Sequence, residues 1–178
     1  MNKKKGNKEM KKLFAVITLA AVLLCTTGCG GEAPAATESA TEAEVSVAKE
    51  FKASEVTDAV LAEVAINSAF EKSAETLGDF FTELDTSKLT DSSYYICASG
   101  AYPDEIAFFT FSDDASAEEA KAAVQQRLDE QKATYETYTP DEFYKLEGAV
   151  LEVKGNYLYY LVTADNAKAE EIVKSYIG

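Results

Sequence analysis

The pattern of hydrophobic and polar residues beyond residue 50 predicts a domain that contains both helices and an antiparallel sheet. Short runs rich in β-branched and aromatic residues, bounded by turn residues, are typical of strands. Four such runs form two strand–turn–strand pairs, and each pair is followed by a helical pattern, which gives a ββα-ββα arrangement. The four predicted strands are Tyr94–Ala98, Glu105–Phe111, Ala149–Val153 and Tyr157–Val162.

Apolar residues three and four positions apart predict the helices. The longest helix covers residues 116–136, a last helix ends the chain, and two short helices precede the first strand. The short helices have the apolar stripes Val56, Val60, Leu61 and Val64, and Leu77, Phe80, Phe81 and Leu84. The pattern therefore predicts an α+β fold, in which helices pack on a four-stranded antiparallel sheet preceded by two short helices.

One polar residue interrupts the apolar face of the long helix. At about 100° per residue, and with Val124 at the centre of that face, Gln131 lies about 20° and Arg127 about 60° from the centre on the same side. A buried amide needs a hydrogen-bond partner. We therefore expect Gln131 to be buried and bonded to the backbone of the turn at Tyr138 and Pro140, or to a neighbouring strand. Arg127, the single arginine of the sequence, should reach an acid or a carbonyl.

Two tyrosines, Tyr135 and Tyr138, continue the line of Arg127 and Gln131 along the helix. The four residues together permit two interpretations. In the first they only lock the helix to the turn that follows it, and in the second they border a binding surface.

The N-terminal segment has the pattern of an export signal. Six lysines and one acid occupy the first dozen residues, and an apolar run over residues 13–24 follows them. A basic region followed by such a run is typical of signal peptides, and the run is shorter than the roughly 20 residues that a membrane-spanning helix needs. The run ends at Thr27-Gly28-Cys29, which resembles the lipobox of bacterial lipoproteins. The resemblance implies cleavage between Gly28 and Cys29 and lipidation of Cys29; the alternative is an ordinary secretory signal with a cysteine there by chance.

This interpretation divides the chain into three parts. Residues 1–28 are the predicted signal peptide. Residues 29–50 are small, polar and acidic and lack an aromatic residue, so we expect a lipidated, disordered tether. Residues 51–178 are long enough for one α+β domain with a substantial core.

Charge and composition exclude several classes of function. The sequence has 17 basic and 31 acidic residues; without residues 1–28 it has 11 and 30, a net charge of −19. A surface this acidic disfavours binding to nucleic acid and to anionic lipid headgroups. We therefore expect the lipid anchor to be the contact with the membrane. The sequence has no histidine, which excludes Ser-His-Asp triads and nearly all zinc sites.

The remaining candidate chemistry is weak. Cys97 lies within a predicted strand without a histidine to activate it, so we interpret it as a buried structural thiol. Neighbouring acids lack the spacing of a calcium-binding loop. The many tyrosines of the second half could line a sugar- or peptide-binding surface, although such residues more often belong to strands and core. We therefore predict no catalytic residue, cofactor or metal ligand.

A local repeat accompanies the two ββα units. The segment DDASAEE from residue 113 recurs as DNAKAEE from residue 165, at an offset of 52 residues. The repeat either reflects duplication or represents two ordinary helix starts, each with Asp as N-cap and acids in the first turn.

Several short motifs also resemble the DUF4358 family of bacterial lipoproteins, whose function is unknown. The resemblance covers about residues 75–178 and supplies no catalytic residues. Its motifs are Asp104-Glu105-Ile106, Arg127, Gln131, Tyr135, Tyr138-x-Pro140 and Gly155-Asn156-Tyr157.

These observations favour a lipid-anchored binding or scaffold module on the extracytoplasmic face of the cell membrane. Its expected partner is a protein or an envelope polymer, not nucleic acid. The alternative is a carboxylate-based hydrolase or accessory factor that acts on cell-envelope polymers. A solute-binding protein of a transporter is a weaker third hypothesis, because one domain of this size lacks two lobes that close on a solute.

Overall fold

Five antiparallel strands form one sheet in the computed structural model, which describes residues 50–178. The predicted signal peptide, Cys29 and nearly all of the predicted tether lie outside these residues. The order across the sheet is β1-β2-β3-β5-β4, so the two predicted hairpins meet at the β3–β5 pair. The strands are β1 (Ala69–Lys72), β2 (Leu89–Cys97), β3 (Glu105–Phe111), β4 (Val150–Lys154) and β5 (Tyr157–Val162).

The α+β class and the single antiparallel sheet are as predicted, but the predicted number of four strands is wrong. The additional strand, β1, pairs with β2 at the edge of the sheet, from Ala69 opposite Cys97 to Lys72 opposite Tyr94. Its side chains are exposed or only half-buried on both faces of the sheet. A strand without a buried face has no alternation of apolar and polar residues, which is the signal that revealed the other four.

Helices cover both faces of the sheet. On one face, termed the α3 face, lie α2 (Leu77–Phe80), the long α3 (Asp114–Tyr138) and α4 (Phe143–Glu147). On the other, termed the α1/α5 face, lie α1 (Ala53–Glu63) and α5 (Asn166–Ile177). Within residues 50–178, no helix is both long and apolar enough to cross a membrane.

The central strand β3 contributes to both cores. Successive side chains of a strand point to opposite faces, so Ala107 and Phe109 pack under α3 while Ile106 and Phe108 pack under α1 and α5. This explains the nearly continuous apolar run of β3. The exception is its first residue, Glu105, which shares the α3 face and is fully buried.

The helices that follow the two hairpins begin in the same way. Asp113 accepts a hydrogen bond from the Ser116 amide at the start of α3, and Asp165 accepts one from the Lys168 amide at the start of α5. These are ordinary N-caps. If the two ββα units were related by symmetry, the antiparallel arrangement of the hairpins would require a two-fold axis perpendicular to the sheet. Such an axis would place both helices on the same face, whereas α3 and α5 lie on opposite faces. The ββα order is therefore present without two-fold symmetry between the units.

Candidate functional site

A buried carboxylate lies where α3 crosses the start of β3. Arg127 donates to Glu105 through Nη2, 2.5 Å from Oε1, and through Nε, 3.4 Å from Oε2. Gln131, one turn later on α3, donates to the same Oε1 at 2.5 Å. These three residues are termed the Glu105 cluster. A carboxylate without water must be paired and hydrogen-bonded to remain charged, and the cluster supplies both conditions.

Two tyrosine hydroxyls border the Glu105 cluster from the sheet. Tyr94 on β2 and Tyr160 on β5 are fully buried, and neither hydroxyl makes a hydrogen bond within the described residues. Burial raises the pKa of both phenols well above the usual value, and the nearby Glu105 carboxylate raises it further. Burial also raises the pKa of Glu105 above its usual value. The positive charge of Arg127 has the largest opposing effect but does not cancel this rise. The Glu105 carboxylate is therefore surrounded by un-ionised phenols, the Gln131 amide and one cation.

A second buried ion pair adjoins the first along the chain. Lys145 on α4 places Nζ 2.8 Å from Oδ2 of Asp104 and 2.7 Å from Oε2 of Glu142. Its ammonium also lies 5.4 Å from the ring centroid of Tyr102. Burial lowers the pKa of Lys145, but its hydrogen bonds to Asp104 and Glu142 outweigh this effect and raise the pKa above the usual value. This group is termed the Lys145 bridge, because it ties α4 to the start of β3.

The end of α3 is fixed to the turn between β2 and β3. The Tyr135 hydroxyl lies 2.9 Å from the carbonyl oxygen of Tyr102 and 3.1 Å from that of Gly100, and it donates to them. Because Tyr135 and Gln131 lie on one side of α3, the helix is held to the sheet at two successive turns.

An open pocket lies outside the Lys145 bridge. It is lined by the residues Ala101, Tyr102, Tyr138, Thr139, Pro140, Asp141 and Glu142, and is termed the tyrosine pocket. The Tyr138 side chain is 80% exposed, although it follows a buried helical face. The Thr139 hydroxyl is buried and makes no hydrogen bond within the described residues. The pocket thus combines aromatic rings, carboxylates and an unused hydroxyl.

The structure brings together three of the four predicted interaction residues. The expected burial of Gln131 is confirmed, since 8% of its surface is exposed. Its partner lies on a neighbouring strand as expected, and Arg127 reaches an acid as expected. Tyr135 is buried close by, whereas Tyr138 points away into solvent and belongs to the tyrosine pocket. Whether these residues form only a lock or border a site stays a prediction.

Other predictions have different outcomes. Gly28 and Cys29, the predicted cleavage and lipidation positions, lie outside the described residues. Cys97 is a buried free thiol, as expected. Within residues 50–178, no group of three or more acids and cysteines is placed to hold a metal ion.

Sequence reasoning did not identify the partners of the two ion pairs. Asp104 and Glu105 appeared as the polar start of a strand and within a motif of the family resemblance, and Lys145 was not singled out. The available signal was the pair of adjacent acids at the start of the most apolar strand of the chain. Because that strand is buried, acids at its start are expected to be buried too and to need cationic partners.

The chain matches the family model described as "Domain of unknown function (DUF4358)" over residues 62–163, which is more than half of its length. The matched region contains all five strands, the Glu105 cluster and the tyrosine pocket. No match was found among curated proteins or among solved structures. The extent of the family match establishes that this chain belongs to the DUF4358 family.

Proposed function

We propose that this protein is a lipid-anchored binding module on the outer face of the cell membrane, and that it binds an envelope polymer at the tyrosine pocket. The proposal combines the lipobox-like sequence at Cys29 and the acidic segment that follows it with the geometry of the pocket. An anchor and a tether would hold the pocket close to the envelope without a spanning helix.

The exposed ring of Tyr138 is the observation that carries the proposal. Aromatic side chains at the surface supply a large contact area and a polar edge, which suits them to ligand binding. Around Tyr138, the carboxylate of Asp141 and the ring of Tyr102 line the same pocket. A ligand with hydroxyl groups on an apolar ring face, such as a sugar unit, could stack on the rings and donate to the carboxylate.

The base of the pocket is already rigid, which favours binding. Glu142 is held by Lys145, and the backbone of Tyr102 is held by the Tyr135 hydroxyl. A pocket ordered in advance loses less conformational entropy when a ligand binds. The ion pairs of Glu105 with Arg127 and of Asp104 with Lys145 thus contribute to the proposed function by positioning the pocket.

The alternative, a carboxylate-based hydrolase, fits this geometry less well. Glycoside cleavage generally uses two carboxyl groups, one as acid and one as base or nucleophile. Asp104 and Glu105 are both buried and paired with cations, and Glu142 is paired with Lys145. Among the carboxylates that line the pocket, Asp141 alone has no ion-pair partner within the described residues.

Binding is tested with Tyr138→Ala in the full-length protein, solubilised from membranes and mixed with purified envelope polysaccharide. Loss of one stacking ring should weaken binding about three- to tenfold, the equivalent of roughly 0.5–1.5 kcal/mol for an aromatic contact. Tyr144→Ala is the matched control, because Tyr144 is also an exposed tyrosine, 51% exposed, and does not line the pocket. Equal binding by Tyr138→Ala and the wild type would refute the site, and shortening of the polysaccharide would favour the hydrolase.

Anchoring is tested separately with Cys29→Ala. We expect an unprocessed precursor and loss of the lipid-modified form, detected by gel mobility and metabolic labelling with a fatty acid. A processed, membrane-bound Cys29→Ala protein would contradict the lipid anchor while leaving the pocket untouched.

A further inference from the structure

The edge strand β1 has an outer side that no described residue covers. It lies at the end of the strand order and pairs only with β2. Three of its four residues are exposed, among them Phe70, with 55% of its surface in solvent. An open sheet edge can pair with another chain, and the exposed ring of Phe70 adds apolar surface to this edge.

The backbone of β1 presents free hydrogen-bonding groups. The Ser68 carbonyl accepts from the Ala98 amide, which fixes the ladder with β2. In an antiparallel ladder, alternate residues direct their backbone groups to the same neighbour. Ser68, Phe70 and Lys72 therefore face β2, and the amides and carbonyls of Ala69 and Glu71 face outward.

The side chains of β1 give this edge a charge pattern. On the α3 face, the Lys72 ammonium lies 5.2 Å from the ring centroid of Phe70 and 4.5 Å from that of Phe80. Lys72 makes no ion pair with any described carboxylate. On the other face, Glu71 lies opposite Tyr95. The side chains of Lys72 and Phe70 thus lie on one face of the sheet, and the carboxylate of Glu71, the residue between them in the sequence, lies on the other face.

Arg127 lies against the same aromatic ring, with its charge paired to Glu105. Its guanidinium lies 5.6 Å from the ring centroid of Phe80, whose ring also contacts Lys72. The Nε and Nη2 groups are used by Glu105, while Nη1 makes no hydrogen bond within the described residues. Lys72 is therefore the cation at the Phe80 ring that has no carboxylate partner within the described residues.

We propose that β1 is a docking edge for an extended segment of a partner protein, which adds to the sheet as a sixth, antiparallel strand. Residues opposite each other in such a pair lie on the same face. The segment would carry an acid opposite Lys72, a basic residue opposite Glu71 and an apolar residue opposite Phe70. Read from its N-terminus, its central motif is acidic–basic–apolar. This edge is separate from the tyrosine pocket and does not depend on the ligand proposed there.

The outward backbone groups favour a polypeptide over an anionic polysaccharide. Strand addition obtains affinity from main-chain hydrogen bonds and specificity from alternate side chains, and a polysaccharide has no complementary row of amides. A second copy of this chain fits less well, because pairing through the outward groups sets Lys72 only against the even-numbered residues of the other β1, Ser68, Phe70 and Lys72, none of which is an acid. The register that places Phe70 against the other copy's Lys72 also brings Glu71 opposite Glu71. Like charges directly opposite each other destabilise a pair.

A synthetic nine-residue peptide, with alternating threonine and valine around a central Asp-Lys-Val, is the probe for the full-length protein. We expect saturable binding, with slower hydrogen exchange at the outward amides of Ala69 and Glu71. Lys72→Glu should weaken binding about tenfold, and a peptide with Lys-Lys-Val at its centre should regain that affinity. The matched control is Lys154→Glu, which reverses an exposed lysine on the opposite edge strand β4 and should leave peptide binding unchanged.

A proline substitution tests the backbone contact independently of charge. Glu71→Pro removes an amide that faces outward, so the ladder with β2 stays intact while the added ring blocks the docking edge. Binding of the peptide should then be lost at unchanged melting temperature. Full binding by both Lys72→Glu and Glu71→Pro would overturn the proposal. A concentration-dependent dimer of the wild type, abolished by Glu71→Pro, would overturn it in favour of self-association.

Discussion

The two faces of the sheet are stabilised by different chemistry. The α3 face buries the ion pair of Glu105 with Arg127, and a second buried pair, Asp104 with Lys145, joins α4 of that face to the residue before β3. The α1/α5 face buries neutral polar groups at most, and its main internal polar contact joins the hydroxyls of Thr57 and Ser93 at 2.7 Å. A buried ion pair is often no more stabilising than apolar residues of similar volume. The α3 face therefore carries charges that stability alone does not require.

The position of these charges suggests why they are present. Both pairs lie at the end of the sheet where the tyrosine pocket opens, and both connect a helix to the first residues of β3. An ion pair with several hydrogen bonds tolerates few arrangements, whereas apolar contacts tolerate many. We expect the α3 face to hold one defined geometry below the pocket, and the α1/α5 face to contribute stability without this directional constraint.

The largest expected difference between the faces comes from Arg127→Met. The variant leaves the Glu105 carboxylate buried without its cation, which should cost about 3–5 kcal/mol of unfolding free energy. Urea denaturation of the full-length protein measures the loss. The double variant Glu105→Leu with Arg127→Met is the control, because it removes both charges and should regain part of the stability, less the cost of leaving the Gln131 amide without its partner. A loss below about 1 kcal/mol in the single variant would show that Glu105 is not held as an ion.

A smaller, pH-dependent effect is expected for Lys145→Met. The folded state raises the pKa of Lys145 above its usual 10.5, so the folded chain binds this proton more tightly than the unfolded chain. The ion pair therefore contributes fully below the unfolded pKa and is lost as pH rises through the folded pKa. At pH 7 the variant should be less stable by about 2–4 kcal/mol. Its difference from the wild type should shrink above about pH 10.5, and a constant difference across that range would contradict the assignment.

The smallest effect is expected on the α1/α5 face, for Thr57→Val. The substitution removes the hydrogen bond with Ser93 and the longer bonds that the Thr57 hydroxyl donates to the carbonyls of Ala53 and Ser54. It also leaves the Ser93 hydroxyl without its partner, and we expect a cost of about 1 kcal/mol. Thermal melting detects a change of this size. The double variant Thr57→Val with Ser93→Ala should recover part of it. A loss as large as that of Arg127→Met would remove the distinction between the two faces.

The sequence predicted the elements that have a buried face. Strands β3 and β5 have the bounds predicted for them, and α3 extends the predicted 116–136 by two residues at each end. These elements alternate or repeat their apolar residues because one side of each meets a core. The edge strand β1 was not predicted, since its exposed residues have no such pattern.

The candidate site was predictable only in part, for the same physical reason. Gln131 was identified because a polar residue on an apolar helical face has to find a partner. The identity of that partner depends on how α3 crosses β3, and helical periodicity contains no information about the crossing. Tyr138 was grouped with Gln131 because helical spacing places them in one line; α3 ends at Tyr138, beyond the last turn that packs on the sheet.

The β3–β5 pair at the centre of the sheet also determines the order in which the chain is expected to fold. Each hairpin joins neighbouring segments, but Glu105 pairs with Val162 and Thr110 with Tyr157 across an intervening stretch that includes α3 and α4. Contacts between distant segments form slowly, because the loop between them has to be closed first. We expect the two hairpins to form early and to join late, and the unjoined edges of β3 and β5 would meanwhile expose the most apolar strands of the molecule. The net negative charge of the chain would oppose aggregation of this open state.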